Sequence, residues 1–359
     1  MGTERFVPMP DIKLVGHKPN IFGDGIAFTQ KWDFSRANLN EENRILAITQ
    51  VASICYQSPK ALGSESLYNR LASESMGLPS SSFEFVPVLL DPWNYKAKEL
   101  LEDTRSNVRK YGEWIIHEGN EYLLTNYRAI YYDYEKRVKA NMEEYADEPV
   151  IMVQANKLLE ERYLKFFNTQ AECDIIKEHF NVFLFKVDFP TRSQMVRHRV
   201  NWQELSRRYV SGKRVGFEFY VSENMKDVFS PATWPDGDED QSFFGTEDVL
   251  EITLKHYFAA LEKGVKPQDA RRIIPQAAYT QIWGAFMPSQ LENYFKLRLD
   301  AHAQWEIRMT AEAMKKLNIT SNILKNHVIS DEKLAEIAKD PRDFLTAEEL
   351  EALISTSLA

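Results

Sequence analysis

The sequence is poor in the residues that mark several common kinds of functional site. Its 359 residues include two cysteines, Cys55 and Cys173, and seven histidines. Two cysteines provide neither a metal-binding spacing nor a disulfide framework, and such a chain is expected in a reducing, cytoplasmic compartment. The histidines are scattered, with no HxxxH pair among them, so we expect no metal site.

Long apolar segments and glycine-rich phosphate loops are also absent from the sequence. No run of 18 apolar residues occurs, and residues 1–20 contain no apolar stretch, so neither a transmembrane helix nor a signal peptide is expected. None of the motifs GxGxxG, GxxxxGKS and GxxxxGKT occurs. A nucleotide or dinucleotide would therefore be bound without these loops.

Positive charge is scarce overall but concentrated in one segment. The chain carries a formal net charge of -9, which argues against general binding to nucleic acids or membrane surfaces. Residues 197–214, RHRVNWQELSRRYVSGKR, nevertheless contain six Lys or Arg and a single acid, Glu204. Because arginine binds phosphate oxygens in a bidentate manner, this segment favours a phosphorylated small molecule as the ligand. The alternative is a solvated basic surface that is paired with acids elsewhere.

Two later segments also place basic residues among apolar ones. ARRIIPQAAYTQ contains Arg271, and FKLRLDAHAQWEIR contains Arg298, His302 and Trp305. The spacing of the last three, i, i+4 and i+7, predicts that they share one face of a helix that lines a site. A surface ion pair would also explain the first segment, and a salt-bridge network the second.

The two cysteines lack the surroundings that activate a thiol. Neither lies near a basic cluster in the sequence, and Cys55, between Ile54 and Tyr56, is predicted to be buried. A thiol becomes a nucleophile when nearby positive charge lowers its pKa. A mechanism that uses a cysteine nucleophile therefore has no good candidate in this sequence.

Hydrophobic periodicity predicts a mixture of helices and strands. Alternating apolar residues predict strands in NVFLFKVDFP (181–190) and GFEFYVS (216–222). Helical spacing occupies much of the remaining chain, and residues 93–180 are predicted to form several amphipathic helices. The other predicted helices begin at Asn40 and Ser64 or fall within 246–264, 287–317 and 328–359.

Four segments, in the same order along the chain, resemble the flavin-dependent thymidylate synthase family, ThyX. They are SICYQSP, the RHR triplet followed by six residues and Ser206, ARRIIPQAAYT, and LRLDAHAQWEIR. The resemblance covers roughly 45–85 and 180–320. It implies an α+β fold, in which a mixed sheet packs against helices, and a homotetramer with sites shared between subunits. It also implies methylation of dUMP to dTMP with FAD, NADPH and methylenetetrahydrofolate, without cysteine attack on the uracil.

The resemblance also implies which residues form the site. The catalytic candidates are Arg298 and Ser206. The implied contacts to dUMP are Gln194, Glu204, Leu205, Ser206, Arg207, Arg208, Arg271 and Arg298. The implied contacts to the flavin are Arg197, His198, Arg199, Gln203, Glu204 and His302. A fixed arginine stabilises charge that develops on a uracil oxygen, and serine and arginine bind phosphate through charge-assisted hydrogen bonds.

The sequence departs from the family pattern on the flavin side. The spacing between RHR and Ser206 is one residue shorter, and Met287-Pro288-Ser289 stands where the family has Asn-x-Arg. The segment LLTNYRAIYYDY contains another Asn-x-Arg, formed by Asn126 and Arg128. We hypothesise that this pair replaces the lost flavin contact. The alternative is an ordinary helix face with a tyrosine stripe.

The resemblance also suggests how the chain is organised. A single catalytic domain spans 1–359, with a mostly helical insertion at 87–180 and a helical C-terminal tail at 321–359. Two other functions stay open for this domain. One is hydroxymethylation, or a related one-carbon transfer, to a pyrimidine nucleotide. The other is a non-catalytic nucleotide- or RNA-binding protein on the same fold, although the low basic content outside one segment disfavours RNA.

Overall fold

The structure combines helices with mostly antiparallel sheets. The computed structural model describes residues 20–22, 28–56, 61–73, 79–102, 105–213, 216–222, 225, 228–231 and 243–317. The strands are β1 (Asn20–Phe22), β2 (Phe28–Trp32), β3 (Pro87–Leu90), β4 (Glu113–His117), β5 (Asn120–Asn126), β6 (Asn181–Asp188), β7 (Asn201–Glu204), β8 (Glu218–Tyr220), β9 (Phe229–Pro231), β10 (Phe243–Gly245) and β11 (Tyr279–Phe286).

The helices extend over the length of the described chain. They are α1 (Glu41–Tyr56), α2 (Glu65–Ala72), α3 (Tyr95–Leu101), α4 (Asn107–Lys110), α5 (Tyr127–Glu144), α6 (Pro149–Leu159), α7 (Gln170–His179), α8 (Phe189–Met195), α9 (Thr246–Glu262), α10 (Pro267–Ala270), α11 (Pro288–Arg298) and α12 (Trp305–Leu317). None of the helices within these ranges has the length and apolar content to cross a membrane. The predicted helices of 328–359, and the tail 321–359, lie outside the described residues.

The central sheet has four strands in the order β2–β6–β11–β7, and each neighbouring pair is antiparallel. Strands β6 and β11 pair along their whole length, from Asn181 opposite Phe286 to Asp188 opposite Tyr279. This confirms the strand that alternation predicted within 181–190. Strand β7, which follows the RHR triplet, forms an edge of the sheet, so the triplet lies at the border of the most buried part of the fold.

Both faces of the central sheet are covered, because side chains alternate between the two faces along each strand. Phe183 and Phe185 of β6 belong to a core that also contains buried residues of α11 and α12. Leu184 of β6 and Trp283 of β11 belong to a larger core shared with α1 and with segment 87–180. A sheet packed between helical layers gives the α+β fold class that was predicted.

The segment 87–180 is mostly helical but also contains a second antiparallel sheet, in the order β3–β5–β4. The prediction of a mostly helical segment at 93–180 is therefore confirmed, but it did not include strands β4 and β5. The β4–β5 hairpin turns through Glu118 and Gly119, whose φ angles are 49° and 82°. Two consecutive positive φ angles form the turn that suits a two-residue hairpin. The sequence did not indicate this turn because glutamate rarely adopts a positive φ angle.

The single helix predicted within 287–317 is in fact two helices, α11 and α12. Between them, the Asp300 carboxylate accepts a hydrogen bond from the His302 N–H at 2.9 Å. Local bonds of this kind from an aspartate side chain compete with continuation of a helix. The prediction that Arg298, His302 and Trp305 share one helical face is therefore wrong.

Candidate functional site

The RHR triplet lies in a tight turn between α8 and β7. The His198 N–H donates to the Met195 carbonyl at 3.0 Å, and the indole N–H of Trp202 donates to the His198 carbonyl at 3.2 Å. His198 is buried, whereas Arg197 and Arg199 on either side of it are exposed. The turn therefore presents two guanidinium groups to solvent around one buried imidazole.

Arg298, the last residue of α11, is bonded to the same turn. Its Nε donates to His198 Nε2 at 2.8 Å, and one terminal nitrogen donates to the Gln194 carbonyl at 3.2 Å. The His198 ring packs against Tyr294, with ring centroids 4.7 Å apart. The second terminal nitrogen of Arg298 has no hydrogen-bond partner within the described residues. That nitrogen is the group this arginine can offer to a ligand.

The imidazole of His198 is neutral at physiological pH. Burial, together with the adjacent Arg298 guanidinium, lowers its pKa to about 4. A neutral ring that accepts at Nε2 carries its proton on Nδ1. Burial and the positive charge of Arg197 also lower the pKa of Arg298, which stays a cation because an arginine pKa is so high.

The depressed pKa of His198 predicts a loss of stability in acid. Between its ordinary pKa of 6.5 and about 4, the unfolded chain binds a proton that the folded chain excludes. The free energy of unfolding therefore falls as pH drops through this window, by about 3 kcal/mol at most. His198→Gln keeps an acceptor for Arg298 but does not titrate, so we expect a smaller loss. Urea unfolding of the native chain and of the variant at pH 6.5 and pH 4.5 measures the two losses of stability. Equal losses would contradict the prediction.

Two residues that the sequence did not single out hold the carboxylate of Glu204. Arg192, on α8, donates to Glu204 Oε2 from Nε at 2.9 Å and from a terminal nitrogen at 2.5 Å. The Thr280 hydroxyl donates to Oε1 at 3.0 Å. Because both oxygens are bonded, the carboxylate has a fixed orientation at the edge of the sheet. Thr280 is the last residue of the motif ARRIIPQAAYT, so its place in that motif could have marked it as a site residue.

The thiol of Cys55 lies against β7. It donates to the Glu204 carbonyl, with sulfur and oxygen 3.1 Å apart, and accepts from the side-chain amide of Gln203 at 2.7 Å. Gln203 also accepts a short hydrogen bond from the Ser81 hydroxyl. The prediction that Cys55 is buried is wrong, because the residue is only half-buried. Its contact with Gln203 joins residues 148 positions apart, which is why local sequence context did not reveal it.

The chain after β7 turns back on itself at Ser206. The Ser206 carbonyl accepts from the Val210 N–H at 3.0 Å, and Arg208, within this turn, is exposed. The Leu205 N–H donates to the Gln281 carbonyl at 2.9 Å. Ser206 and Arg208 thus lie where a ligand can reach them, whereas the backbone N–H of Leu205 already has a partner.

Arg207 points into the protein. It is buried, and its guanidinium lies over the Phe217 ring, 4.4 Å from the centroid. One terminal nitrogen donates to the Gly216 carbonyl at 3.2 Å, and burial lowers the pKa of Arg207 to about 10. The contacts of the Arg207 side chain are therefore those of a residue that fixes the loop to the core.

The structure brings only some of the candidate residues together. Gln194 is bonded through its side chain to Gln304 at 2.5 Å, next to the turn that follows Arg298. The side chain of His302 is 98% exposed and is paired with Asp300. Arg271 is exposed. Within the described parts of the chain, no hydrogen bond or ion pair connects Arg271 or His302 to the other candidates.

Comparison with known protein families identifies the chain. A family profile described as "Thymidylate synthase complementing protein" matches residues 118–320, more than half of the chain. The chain belongs to this family. It is 34% identical over 157 residues to the flavin-dependent thymidylate synthase of Thermosipho africanus, a match that spans 41% of this chain and 64% of that protein. The flavin-dependent thymidylate synthase of Sulfurisphaera tokodaii is 26% identical over 199 residues, or 50% of this chain and 71% of that protein.

These matches confirm the resemblance to ThyX, but they are partial in length. The chain spans 64% of the relative from Thermosipho africanus, which is less than two thirds. It spans 50% of a further relative, the flavin-dependent thymidylate synthase of Saccharolobus solfataricus, to which it is 29% identical over 143 residues. Among solved structures, the chain is similar to the UMP/dUMP methylase PolB from Streptomyces cacaoi bound with 5-Br UMP. That similarity has 26% identity over 39% of this chain and 69% of the other, with a TM-score of 0.30, which is too low to establish a shared fold.

In this ThyX-family member the family match begins inside segment 87–180, and that segment contacts the helix that carries Arg298. The carboxylate of Glu113, on β4, accepts from the Ser289 N–H at 2.9 Å and from the Ser289 hydroxyl at 2.7 Å. A carboxylate at the first turn of a helix satisfies its N–H groups and complements its dipole. The segment thus stabilises the start of α11, the helix that ends in Arg298.

The same segment reaches the RHR turn through Arg128. Its Nε donates to the Pro79 carbonyl at 3.0 Å, and a terminal nitrogen pairs with Glu84 at 2.5 Å. The side chain of Asn201, at the start of β7, in turn donates to the Glu84 carbonyl at 3.5 Å. The side chain of Asn126 caps α5 through a bond of 3.1 Å. Both residues therefore have partners within the protein, and their contact with a flavin stays a prediction.

Proposed function

We propose that this chain methylates dUMP to dTMP, with methylenetetrahydrofolate as the carbon donor, FAD as the bound cofactor and NADPH as its reductant. The observation that carries the proposal is the hydrogen bond between Arg298 and His198. It joins two of the segments that resemble ThyX, although the residues are 100 positions apart in the chain. Family membership and the curated names of the relatives support the same reaction.

The charges around this bond suit ligands that contain phosphate. Arg197 and Arg199 are exposed, and no carboxylate within the described residues forms an ion pair with either one. Arg298 adds a third guanidinium, close enough for Arg197 to lower its pKa. A cluster of arginines without acidic partners attracts phosphate groups. These residues therefore fit FAD, which has two phosphates, and dUMP, which has one.

Arg298 is the residue that we assign to the uracil ring. Its available terminal nitrogen would donate to a uracil carbonyl oxygen, which gains negative enolate charge when a hydride adds to the conjugated ring system. Neutral His198 holds the Nε side of the guanidinium without adding a second charge, so the arginine has one orientation. Bound FAD would supply the hydride that completes the methyl group.

The remaining candidates would position the nucleotide. Arg192 and Thr280 fix the Glu204 carboxylate, which can then accept from a donor group of dUMP. Ser206 and Arg208, in the turn after β7, would bind the phosphate. Among the residues that the structure describes, Arg271 and His302 have no hydrogen bond or ion pair to these residues, so we propose that they act across subunits in a homotetramer with shared sites.

The proposed reaction uses no thiol nucleophile, although Cys55 lies beside Glu204. The thiol donates to a backbone carbonyl, and such a bond keeps the proton on sulfur. Because the thiolate, rather than the thiol, is the nucleophile, these contacts favour a packing role. Cys55→Ala is expected to keep kcat within about tenfold, whereas a nucleophile would lose on the order of 10³-fold or more.

The reaction is tested by the mass of the product. The purified protein, incubated with dUMP, methylenetetrahydrofolate, FAD and NADPH, is expected to produce a nucleotide that is heavier than dUMP by one methylene unit, the gain when methyl replaces hydrogen. Flavin is also expected to co-purify with the protein, and its absorbance spectrum is expected to change when dUMP is added. A hydroxymethyl product would show that the chain hydroxymethylates the nucleotide instead of methylating it. Absence of both product and bound flavin would contradict the proposal.

A further inference from the structure

We propose that His117, Glu178 and His179 form a structural binding site for a divalent transition-metal ion such as Zn²⁺. One potential ligand atom from each of the three residues lies within 4.8 Å of the other two. The cluster is separate from the residues that we assign to dUMP and the flavin. The sequence predicted no metal site, because His117 is far along the chain from the other two and the fold alone brings them together.

The geometry of the cluster approaches that of a metal site. His117 is the last residue of β4, and Glu178 and His179 are the last two residues of α7. His117 Nδ1 is 3.4 Å from Glu178 Oε2, and the two imidazole rings are 5.9 Å apart at an interplanar angle of 83°. Ligand atoms around tetrahedral zinc lie about 3.4 Å apart, given Zn–N bonds of about 2.0–2.1 Å. Closing the site therefore needs shifts of about 1 Å, and the Glu178 side chain, 47% exposed, has room to move.

An unsatisfied nitrogen points to a ligand at this position. His179 Nε2 is buried and has no hydrogen-bond partner among the described residues. Buried polar atoms are nearly always paired, so an exception calls for an unseen partner such as an ion.

The donor set selects the class of metal and its role. Two imidazoles and one carboxylate suit Zn²⁺ and related ions, rather than Mg²⁺ or Ca²⁺, which prefer oxygen ligands. Such a site leaves one coordination position for water. An ion here would join the β4–β5 hairpin to the end of α7, directly before β6 of the central sheet. Because β4 also carries Glu113, which caps the helix of Arg298, the ion would stabilise that support.

Metal binding by the full chain, after treatment with a chelator, tests the proposal. Isothermal titration with ZnCl₂ is expected to show one saturable site. At a hundredfold excess over the dissociation constant, the Tm is expected to rise by roughly 4 °C. Co²⁺ used in place of Zn²⁺ should give visible absorption bands of a four-coordinate site. The variants His117→Ala and His179→Ala should each bind Zn²⁺ at least about 100-fold more weakly.

His256→Ala provides the matched control, because His256 is an exposed histidine on α9, outside the cluster. This variant should bind Zn²⁺ as tightly as the native chain. The proposal is overturned if the native chain binds no more tightly than the double variant His117→Ala/His179→Ala, or if His256→Ala weakens binding as much as they do. These readouts need neither dUMP nor flavin, so their outcome is independent of the proposed reaction.

Discussion

Replacing Arg298 with alanine is expected to lower kcat for dTMP formation by about 10²–10³-fold, while FAD stays bound. The substitution removes the donor that we assign to the uracil oxygen, and with it the charge that stabilises the transition state. The flavin is expected to remain because Arg197, His198 and Arg199, the residues of the RHR triplet assigned to it, are unchanged. Steady-state turnover and the flavin absorbance of the purified variant measure the two quantities separately.

Lys296→Ala is the control. Lys296 is exposed on the same helix, and its substitution removes one positive charge, as Arg298→Ala does. This variant should turn over at nearly the native rate. The loss of Arg298 should also raise the pKa of His198, since the guanidinium is one of the two causes that depress it. The imidazole resonances of His198 in an NMR titration report that shift. Near-native turnover in Arg298→Ala would refute the role given to Arg298.

Replacing Gly284 with alanine is expected to damage both the central sheet and the RHR turn. A Cβ at this position would lie 2.6 Å from a ring carbon of Trp202 and 2.9 Å from one of Phe286. Gly284 sits on β11 directly opposite Trp202 on β7. Overpacking of this kind costs about 1–3 kcal/mol. Because the Trp202 indole also donates to the His198 carbonyl, its displacement would move the turn and lower kcat by up to about 10²-fold.

A double variant separates this collision from a general loss of folding. Trp202→Leu removes the large ring that the new methyl group would meet, so Gly284→Ala should cost less in that background. Thermal unfolding of the two single variants and the double variant gives the coupling between the sites. Strictly additive changes in unfolding free energy would mean that Gly284 is not required for the approach of Trp202.

Segment 87–180 takes part in the arrangement of the site, although its only predicted role was the flavin contact of Asn126 and Arg128. Glu113 supports the start of the helix that ends in Arg298. Arg128, through Glu84, is connected to the first residue of β7. The segment is therefore bonded both to the helix that ends in Arg298 and to the strand that follows the RHR turn.

Sequence alone predicted the elements whose pattern is local. The strand within 181–190 and the helices that begin near Asn40 and Ser64 follow from alternation, periodicity and capping residues. The family resemblance rested on short motifs in a fixed order, and it was confirmed. Local patterns failed where a turn used unusual residues, as at Glu118, or where a side chain ended a helix, as at Asp300.

The sequence by itself determined the elements, the family and the identity of the charged residues, because each of these is written in contiguous stretches of chain. Only the tertiary structure decided which charges meet. It bonded Arg298 to His198, gave Glu204 its partners Arg192 and Thr280, and placed Cys55 against β7. Partners that are distant in sequence leave no local pattern, since their approach depends on how sheets and helices pack and on which side chains that packing buries.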